Sequence, residues 1–161
     1  TDQYRELMQA RLRMQGDNAH YLEVIREENS IVWVNHSIAT NVESTWHALS
    51  SVNGPVILII GGVDRGNDHA VLRELVREKV ECMICIGSTP WKYQRVFGTE
   101  AKRIVSVDGL ADAVDTAKKL CSASTRTVLF SPSCPSYDAF DNYRNRGDEF
   151  KLLVNGTKEQ E

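Results

Sequence analysis

The stretch Pro55-Val56-Ile57-Leu58-Ile59-Ile60-Gly61-Gly62 decides the fold of this chain. A continuous apolar run, stopped by a proline on one side and by glycines on the other, is typical of a β-strand that is buried on both faces. Strands of that kind occur in parallel sheets that helices cover on each side. The run therefore predicts the centre of an α/β fold, and it makes the neighbouring segments candidates for the covering helices.

Strand-like and helix-like patterns alternate on both sides of this run. Further strand patterns occur at 80–86, 103–107 and 127–130, and a predicted hairpin covers 20–28 and 31–36. Helical patterns lie at about 41–50, after Asp68, at 89–97, at 110–120 and in a last segment that ends near Val154. Strands that alternate with helices indicate βαβ units. We therefore predict an α/β fold of three layers, with a mostly parallel sheet and an antiparallel hairpin at its edge.

Polar residues mark the predicted starts of several helices. Thr40 and Glu43 fit a capping box at the start of the first one. Asp68 and Asp108 are the predicted caps of two later helices. The helix after Asp68 should turn one apolar stripe towards the sheet, made of Val71, Leu72, Leu75 and Val76.

The composition excludes several classes of function. The chain has 161 residues, of which 42% are hydrophobic and 25% charged, and this is ordinary for one soluble globular domain. A net charge of −3 provides no basic footprint for nucleic acid or for a membrane surface. No apolar run approaches the roughly 20 residues that a membrane span needs. We therefore expect neither nucleic acid nor a membrane as a partner.

The chain divides into three parts by pattern. Residues 1–19 hold an amphipathic helix at 2–14 and a break at Gly16-Asp17-Asn18, so we interpret them as a linker or as the remnant of a preceding domain. Residues 20–154 carry the alternating strands and helices and form the predicted domain. Residues 155–161 form a polar tail. Because the first residue is Thr1 and not Met, we interpret the chain as a fragment of a longer protein.

The cysteines and histidines do not have the spacing of a metal site. Cys82 and Cys85 form a C-x-x-C pattern, but they lie inside the apolar run 80–86, where we expect them to be small hydrophobic side chains of a buried strand. A zinc site needs two more ligands at close spacing. His20, His36, His47 and His69 lie on different predicted elements. We therefore predict no metal site in this chain.

Three loops follow the carboxyl ends of predicted strands, at 35–41, 61–68 and 131–138. Because the carboxyl ends of parallel strands meet at one edge of a sheet, we expect these loops to converge where α/β folds bind ligands. Backbone N–H groups, hydroxyls and one cation at such an edge can hold an anion. The residues alone therefore predict an α/β domain with an anion site.

The candidate residues of these loops also have purely structural interpretations. Thr40 can act only as a helix cap, and Gly61-Gly62 only as a turn. Arg65 can be a solvated surface charge. Ser136 can cap the last helix, and Tyr143 can belong to the core. Spacing alone leaves these alternatives open.

Four segments carry a more specific signal because they occur together in one order. They are His20-Tyr21-Leu22-Glu23, the 35–41 loop, Gly61–Asp68 and Ser131–Phe150. Over about 20–154 the chain resembles the C-terminal domain of the Mur ligase family, and within that family the ligases that add D-glutamate. The resemblance implies a dinucleotide-binding-like fold that closes over a preceding central ATPase domain.

The resemblance also implies a reaction. Ligases of this kind work in the cytoplasm, as monomers, in the synthesis of peptidoglycan for the cell wall. They use ATP and Mg²⁺ to activate the carboxylate of UDP-N-acetylmuramoyl-L-alanine as an acyl phosphate, which the amine of D-glutamate then attacks. ATP and Mg²⁺ would be held mainly by the central domain, because this chain lacks a G-x-x-x-x-G-K-[ST] loop. The resemblance places no catalytic residue in this fragment, so we expect no activity from the fragment alone.

The resemblance assigns D-glutamate contacts by position to Thr40, Arg65, Ser136 and Tyr143. Arg65 would bind a carboxylate in a bidentate way. The hydroxyls of Thr40 and Ser136 would donate to the same ligand. Holding both carboxylates and aiming the amine is catalysis by positioning.

The nucleotide side of the family's site corresponds to Tyr21, His36, Ser37 and Ile38. Here the chain departs from the family, whose loop reads Asp-Ser-Lys-Ala-Thr-Asn where this chain has His36-Ser37-Ile38-Ala39-Thr40-Asn41. Tyr21 replaces an Arg, and Arg65 replaces a Lys. These departures favour a second hypothesis, a degenerate and non-catalytic binding module on the same fold. A third hypothesis is a stand-alone α/β protein that binds a nucleotide or phosphate.

Overall fold

The computed structural model describes residues 5–6, 19–62, 68–87, 90–134, 140 and 142–156. Its strands are β1 (Glu23–Glu28), β2 (Ile31–Asn35), β3 (Val56–Gly61), β4 (Val80–Ile86), β5 (Ile104–Val107) and β6 (Thr127–Phe130). Its helices are α1 (Val42–Ser51), α2 (Arg73–Lys79), α3 (Pro90–Phe97), α4 (Leu110–Leu120) and α5 (Tyr143–Asn155). A short 3-10 helix, His69–Leu72, leads directly into α2.

The six strands form one sheet in the order β1-β2-β6-β3-β4-β5. The strands from β2 to β5 pair in parallel, and β1 pairs with β2 in the antiparallel sense. Leu58 at the centre of β3 lies between Met83 of β4 and Leu129 of β6. The predicted α/β fold with a parallel sheet and an edge hairpin is confirmed.

The sheet separates two hydrophobic cores. Leu58 and Ile60 point into the first, which α1, α2 and α3 cover, while Ile57 and Ile59 point into the second, which α4 and α5 cover. All four side chains are fully buried because successive residues of a strand face opposite sides of the sheet. The apolar run 56–61 is therefore a central strand of the middle layer of three.

Two of the predicted helix caps are wrong. The cap of α1 is Asn41, whose Oδ1 accepts a hydrogen bond from the Ser44 N–H at 2.9 Å, and not Thr40 one residue earlier. The cap of α4 is Gly109, which offers no side chain, and not Asp108. Asp68 is confirmed, since its Oδ1 accepts from the Ala70 N–H at 3.0 Å. The last helix begins after Asn142, so Ser136 is not its cap.

The predicted inner stripe of the helix after Asp68 is only partly right. Leu72 and Val76 are fully buried, Leu75 is half-buried, and Val71 is 57% exposed. The segment starts as a 3-10 helix, which has three residues per turn and not 3.6. This tighter winding rotates Val71 out of the stripe before α2 restores the α-helical phase.

The cysteine prediction is confirmed. Cys82 and Cys85 are buried thiols of β4, and burial raises the pKa of Cys82 to about 11 and that of Cys85 to about 12. Among the residues that the structure describes, no group of His, Cys, Asp or Glu has the arrangement of a metal site. Within the same residues no helix has the length and apolar character that would let it cross a membrane.

The ends of the chain leave two predictions untested. Most of the predicted 2–14 helix lies outside the described residues. Within that segment the structure describes Arg5 and Glu6, which are helical and exposed. The last helix ends at Asn155, followed by Gly156 with φ +77°, and 157–161 also lie outside the described residues.

Candidate functional site

The carboxyl ends of β2, β6 and β3 meet at one edge of the sheet. The His36 N–H donates to the Phe130 carbonyl at 2.8 Å, and the Gly61 N–H donates to the Pro132 carbonyl at 2.9 Å. The Ser131 N–H donates to the Ile59 carbonyl at 3.1 Å. The described parts of the three predicted loops therefore converge, as the strand order requires.

A glycine is needed where β3 leaves this edge. Gly61 has φ +122°, and a Cβ on it would lie 2.2 Å from the Ile86 carbonyl oxygen of β4. No other residue fits so close to a neighbouring backbone. Gly62 follows with φ +148°. The structural interpretation of Gly61, a turn that only glycine allows, is therefore sufficient by itself.

Two of the four predicted D-glutamate contacts fall within the described residues. Thr40 is exposed at the edge, just before α1. Tyr143 is half-buried at the first position of α5, with its ring 6.2 Å from that of His20 and the Arg144 guanidinium 5.0 Å from its centroid. Arg65 and Ser136 lie outside the described residues. The assignment of all four to D-glutamate stays a prediction.

The predicted nucleotide-side residues lie in the interior. Tyr21 and His36 are buried and pack edge to face, 4.9 Å between ring centroids. The Ser37 hydroxyl is buried, and Ile38 is half-buried against the first core. A direct role in nucleotide binding stays a prediction for all four, and in this conformation none presents a charge at the surface.

His36 is held as a neutral ring. Its Nδ1 accepts a hydrogen bond from the Leu22 N–H at 3.0 Å, which assigns the proton to Nε2. Nε2 has no hydrogen-bond partner among the described residues. Burial lowers the pKa of His36 to about 4. The nearby backbone of Ser44 raises the pKa and so opposes part of this shift, although it does not meet the geometry of a hydrogen bond to the ring. At the position where the resemblance implies a carboxylate, the chain therefore has an uncharged interior side chain.

A polar network fixes the start of the 35–41 loop. The Asn35 amide, fully buried, donates to Glu23 Oε1 at 3.0 Å and lies 2.9 Å from His20 Nδ1, while its Oδ1 accepts from the Ser37 N–H at 3.1 Å. Burial raises the pKa of Glu23, but the Asn35 hydrogen bond and the charge of Lys151 outweigh it and lower the pKa overall. Glu23 therefore remains a carboxylate that anchors the loop.

Arg146 is the residue of this region that the sequence analysis missed. Its side chain is buried, 3% exposed, on the inner face of α5 together with Phe150 and Val154. The spacing of these three, at i, i+4 and i+8, was the available signal, because it places a charged residue in line with two apolar ones. A charge on a buried stripe marks a side chain with specific partners.

A small cavity lies at the same edge. It has a volume of about 100 Å³, and its lining includes Gly62, Gly87, Gly109, Phe140 and Arg146. A larger cavity of about 330 Å³, lined by Ile31, Trp33 and Lys118 among others, lies instead at the amino end of β2. Ligands of parallel sheets bind outside the carboxyl ends of the strands, so of these two cavities only the smaller one lies at the ligand-binding edge.

Comparison with known proteins identifies a family by sequence and a shared fold by structure. The family model described as "Mur ligase, glutamate ligase domain" matches residues 22–134. The UDP-N-acetylmuramoylalanine--D-glutamate ligase of Salinibacter ruber is 38% identical over 135 residues, which are 84% of this chain and 29% of that protein.

Solved structures share the fold at low sequence identity. MurF from Acinetobacter baumannii superposes with a TM-score of 0.62 at 14% identity, over 87% of this chain and 31% of that one. MurF from Thermotoga maritima in complex with ADP superposes with a TM-score of 0.52 at 14% identity, over 84% and 30%. The chain thus spans about three tenths of the length of each of these proteins.

Proposed function

The chain belongs to the Mur ligase family through its glutamate ligase domain, and on that premise we propose that it is the amino-acid-binding part of an ATP-dependent ligase that joins D-glutamate to UDP-N-acetylmuramoyl-L-alanine. The 38% identity to an enzyme of that name supports the substrate pair. Residues 20–154 would form this domain, with 1–19 connecting it to the rest of a monomeric, cytoplasmic enzyme.

The proposed reaction has two steps. The γ-phosphoryl group of ATP passes to the carboxylate of the nucleotide substrate, which forms an acyl phosphate and releases ADP. The D-glutamate amine then attacks the acyl carbon, the amide bond forms, inorganic phosphate leaves and the amine loses a proton. The described residues of this chain do not supply a ligand set for Mg²⁺. The family resemblance implies that ATP and Mg²⁺ are bound mainly by the rest of the ligase.

This chain would contribute by positioning D-glutamate. Arg65 would form a bidentate pair with a carboxylate, the hydroxyls of Thr40 and Ser136 would donate to the same ligand, and the Tyr143 ring would form a wall. The observation that carries the proposal is the convergence of the loops after β2, β3 and β6 at one edge, in a chain of this family. Orienting an amine against a bound acyl phosphate removes much of the entropic part of the barrier.

The test is phosphate release by the full-length ligase. Release that requires ATP, UDP-N-acetylmuramoyl-L-alanine and D-glutamate together is the expected result; release without D-glutamate, or with another amino acid in its place, contradicts the proposal. Arg65→Met should raise KM for D-glutamate by roughly 10- to 100-fold, since a hydrogen bond to a charged group contributes about 1.5–3 kcal/mol. Arg77→Met, an exposed arginine of α2, is the matched control and should leave KM unchanged.

A second candidate function is a non-catalytic binding module. The neutral, buried His36 favours it, because the family has a carboxylate there and a Lys where this chain has Ile38. A folded full-length protein that releases no phosphate would support this candidate. Recovery of release in the double variant His36→Asp, Ile38→Lys would identify the lost groups, whereas no recovery would show that the loop has been rewired.

A further inference from the structure

The guanidinium of Arg146 connects two loops at the carboxyl edge of the sheet. Nε donates to Ser37 Oγ at 3.1 Å, Nη2 donates to the Ser37 carbonyl at 2.8 Å, and Nη1 donates to the Cys134 carbonyl at 2.9 Å. The group also lies over the Phe130 ring, 6.0 Å from its centroid. One side chain thus bonds to the loop after β2 and to the loop after β6.

The bonded segments are those that carry the proposed D-glutamate contacts. Ser37 precedes Thr40 by three residues, and Cys134 precedes Ser136 by two. The Ser37 hydroxyl, which accepts from Arg146, donates in turn to the Tyr143 carbonyl at 2.7 Å. Thr40 and Tyr143 therefore stand on described segments that this one guanidinium joins, and Cys134 is the last described residue before Ser136 in the chain.

The geometry requires arginine. A planar guanidinium presents donors on three nitrogens in a fixed fork, so it can hold Ser37 and Cys134 at once. A lysine ammonium keeps the charge but is a single point on a flexible stem. Because the site is buried, a carbonyl that loses its donor stays unpaired, and the loop that carries it must shift to reach another partner.

We infer that Arg146 is a positioning residue for the D-glutamate site: through its bonds to Ser37 and Cys134 it holds the described segments 36–40 and 131–134 and the start of α5, and with them Thr40 and Tyr143, in one register. This inference rests on the proposed function. It predicts that the fork, and not the charge alone, sets the affinity for D-glutamate, and that KM for D-glutamate depends on it more than KM for ATP or for the nucleotide substrate.

The test compares Arg146→Lys with Arg126→Lys in the full-length ligase. Arg126 also donates to backbone carbonyls, those of Ala123, Ser124 and Thr125, but at the opposite edge of the sheet. Arg146→Lys should raise KM for D-glutamate by about tenfold or more, since small misplacements are costly in a positioned reaction. KM for ATP and for the nucleotide substrate should rise clearly less than KM for D-glutamate, and Arg126→Lys should change none of the three.

A folded Arg146→Lys enzyme with an unchanged KM for D-glutamate, or with all three KM values raised alike, overturns the inference. If Arg146→Lys does not fold, Ser37→Ala replaces it, because it removes one acceptor of Arg146 and the donor to Tyr143. Ser37→Ala should raise KM for D-glutamate by roughly threefold to tenfold, because it removes one hydrogen bond from a charged donor and one neutral hydrogen bond. An unchanged KM in this variant also overturns it.

Amide hydrogen exchange separates this inference from the proposed function. Exchange in 36–40 and in 131–134 should be faster in Arg146→Lys than in Arg126→Lys, whether or not the wild-type enzyme releases phosphate. A wild-type enzyme that releases no phosphate would contradict the proposed function. Faster exchange in both segments of Arg146→Lys would still support the link that Arg146 forms between the two loops. Unchanged exchange in either segment overturns the link even in an active enzyme.

Discussion

His36 shows at the scale of a single residue how burial decides a charge. The ring is 1% exposed, and its pKa falls from the ordinary 6.5 to about 4. Above pH 6.5 the ring is neutral in both the folded and the unfolded chain and does not affect stability. Below pH 6.5 the ring is protonated in the unfolded chain, but in the folded chain it stays neutral down to about pH 4. The free energy of unfolding must therefore decrease as the pH falls from 6.5 to about 4.

We predict that His36 removes about 2 kcal/mol of stability between pH 6.5 and pH 5, at 1.36 kcal/mol per pKa unit. His36→Asn keeps an acceptor for the Leu22 N–H but does not titrate, so its stability should fall less steeply over this range. Urea unfolding at a series of pH values measures the slope. Equal slopes for His36→Asn and wild type would contradict the prediction.

Burial also lowers the pKa of His20, chiefly by desolvation, and Lys151 adds to the effect. His20 therefore contributes to the pH dependence with the same sign. The comparison with His36→Asn isolates the His36 part, because the variant leaves His20 in place.

At the scale of elements, α5 packs so close to the start of the domain that one glycine decides the contact. A Cβ on Gly147 would lie 2.1 Å from His20 Nδ1. Alanine is the better helix former by about 1 kcal/mol, which alone would favour Gly147→Ala. We expect the steric clash to outweigh this gain in helix propensity, because the His20 ring is buried beside Asn35 and cannot easily move.

We predict that Gly147→Ala lowers the free energy of unfolding by about 1–3 kcal/mol, the usual cost of overpacking. Denaturant titration measures it. The double variant His20→Ala, Gly147→Ala removes the ring that clashes, so its loss should be smaller than the sum of the two single losses. Additive losses would show that the cost of Gly147→Ala has another source.

At the scale of the whole molecule, two cores share one sheet. Cys85 belongs to the first core and Cys82 to the second, and both thiols are buried with raised pKa values. Because each core rests on the same strands, we expect neither to open without the other. Reaction of either thiol with an alkylating reagent should then report global unfolding.

We predict that Leu58→Ala, which opens a cavity in the first core, accelerates the labelling of Cys82 and Cys85 alike. The expected loss of about 2–5 kcal/mol corresponds to an acceleration of roughly thirtyfold or more when labelling follows the unfolded fraction. Pulsed alkylation at pH 8 with mass spectrometry resolves the two thiols. Leu152→Ala, at a half-exposed position of α5, should change neither rate. Faster labelling of Cys85 alone would show that the cores open independently.

The elements and their order could be predicted because they depend on local patterns. A continuous apolar run such as 56–60 can be buried only inside a covered sheet, and the alternation of strands and helices then dictates a parallel arrangement. The exact helix starts could not be predicted, because Thr40 and Asn41 are both good caps and only the path of the loop selects Asn41. The prediction that Val71 is buried was wrong for a similar reason. A 3-10 turn changes the direction in which a residue points, and the order of apolar residues does not reveal that turn.

The features of the candidate site likewise fall into those that local sequence patterns predict and those that they do not. The sequence by itself determined that three loops follow parallel strands and must meet at one edge, and that the chain carries the ordered segments of a ligase family. Only the tertiary structure decided that Arg146 is buried between Ser37, 109 positions away, and Cys134, and that His36 is a neutral interior ring. Hydrophobic periodicity is a local property of the chain, whereas a hydrogen-bond partner or a desolvated charge depends on which distant segments fold against it.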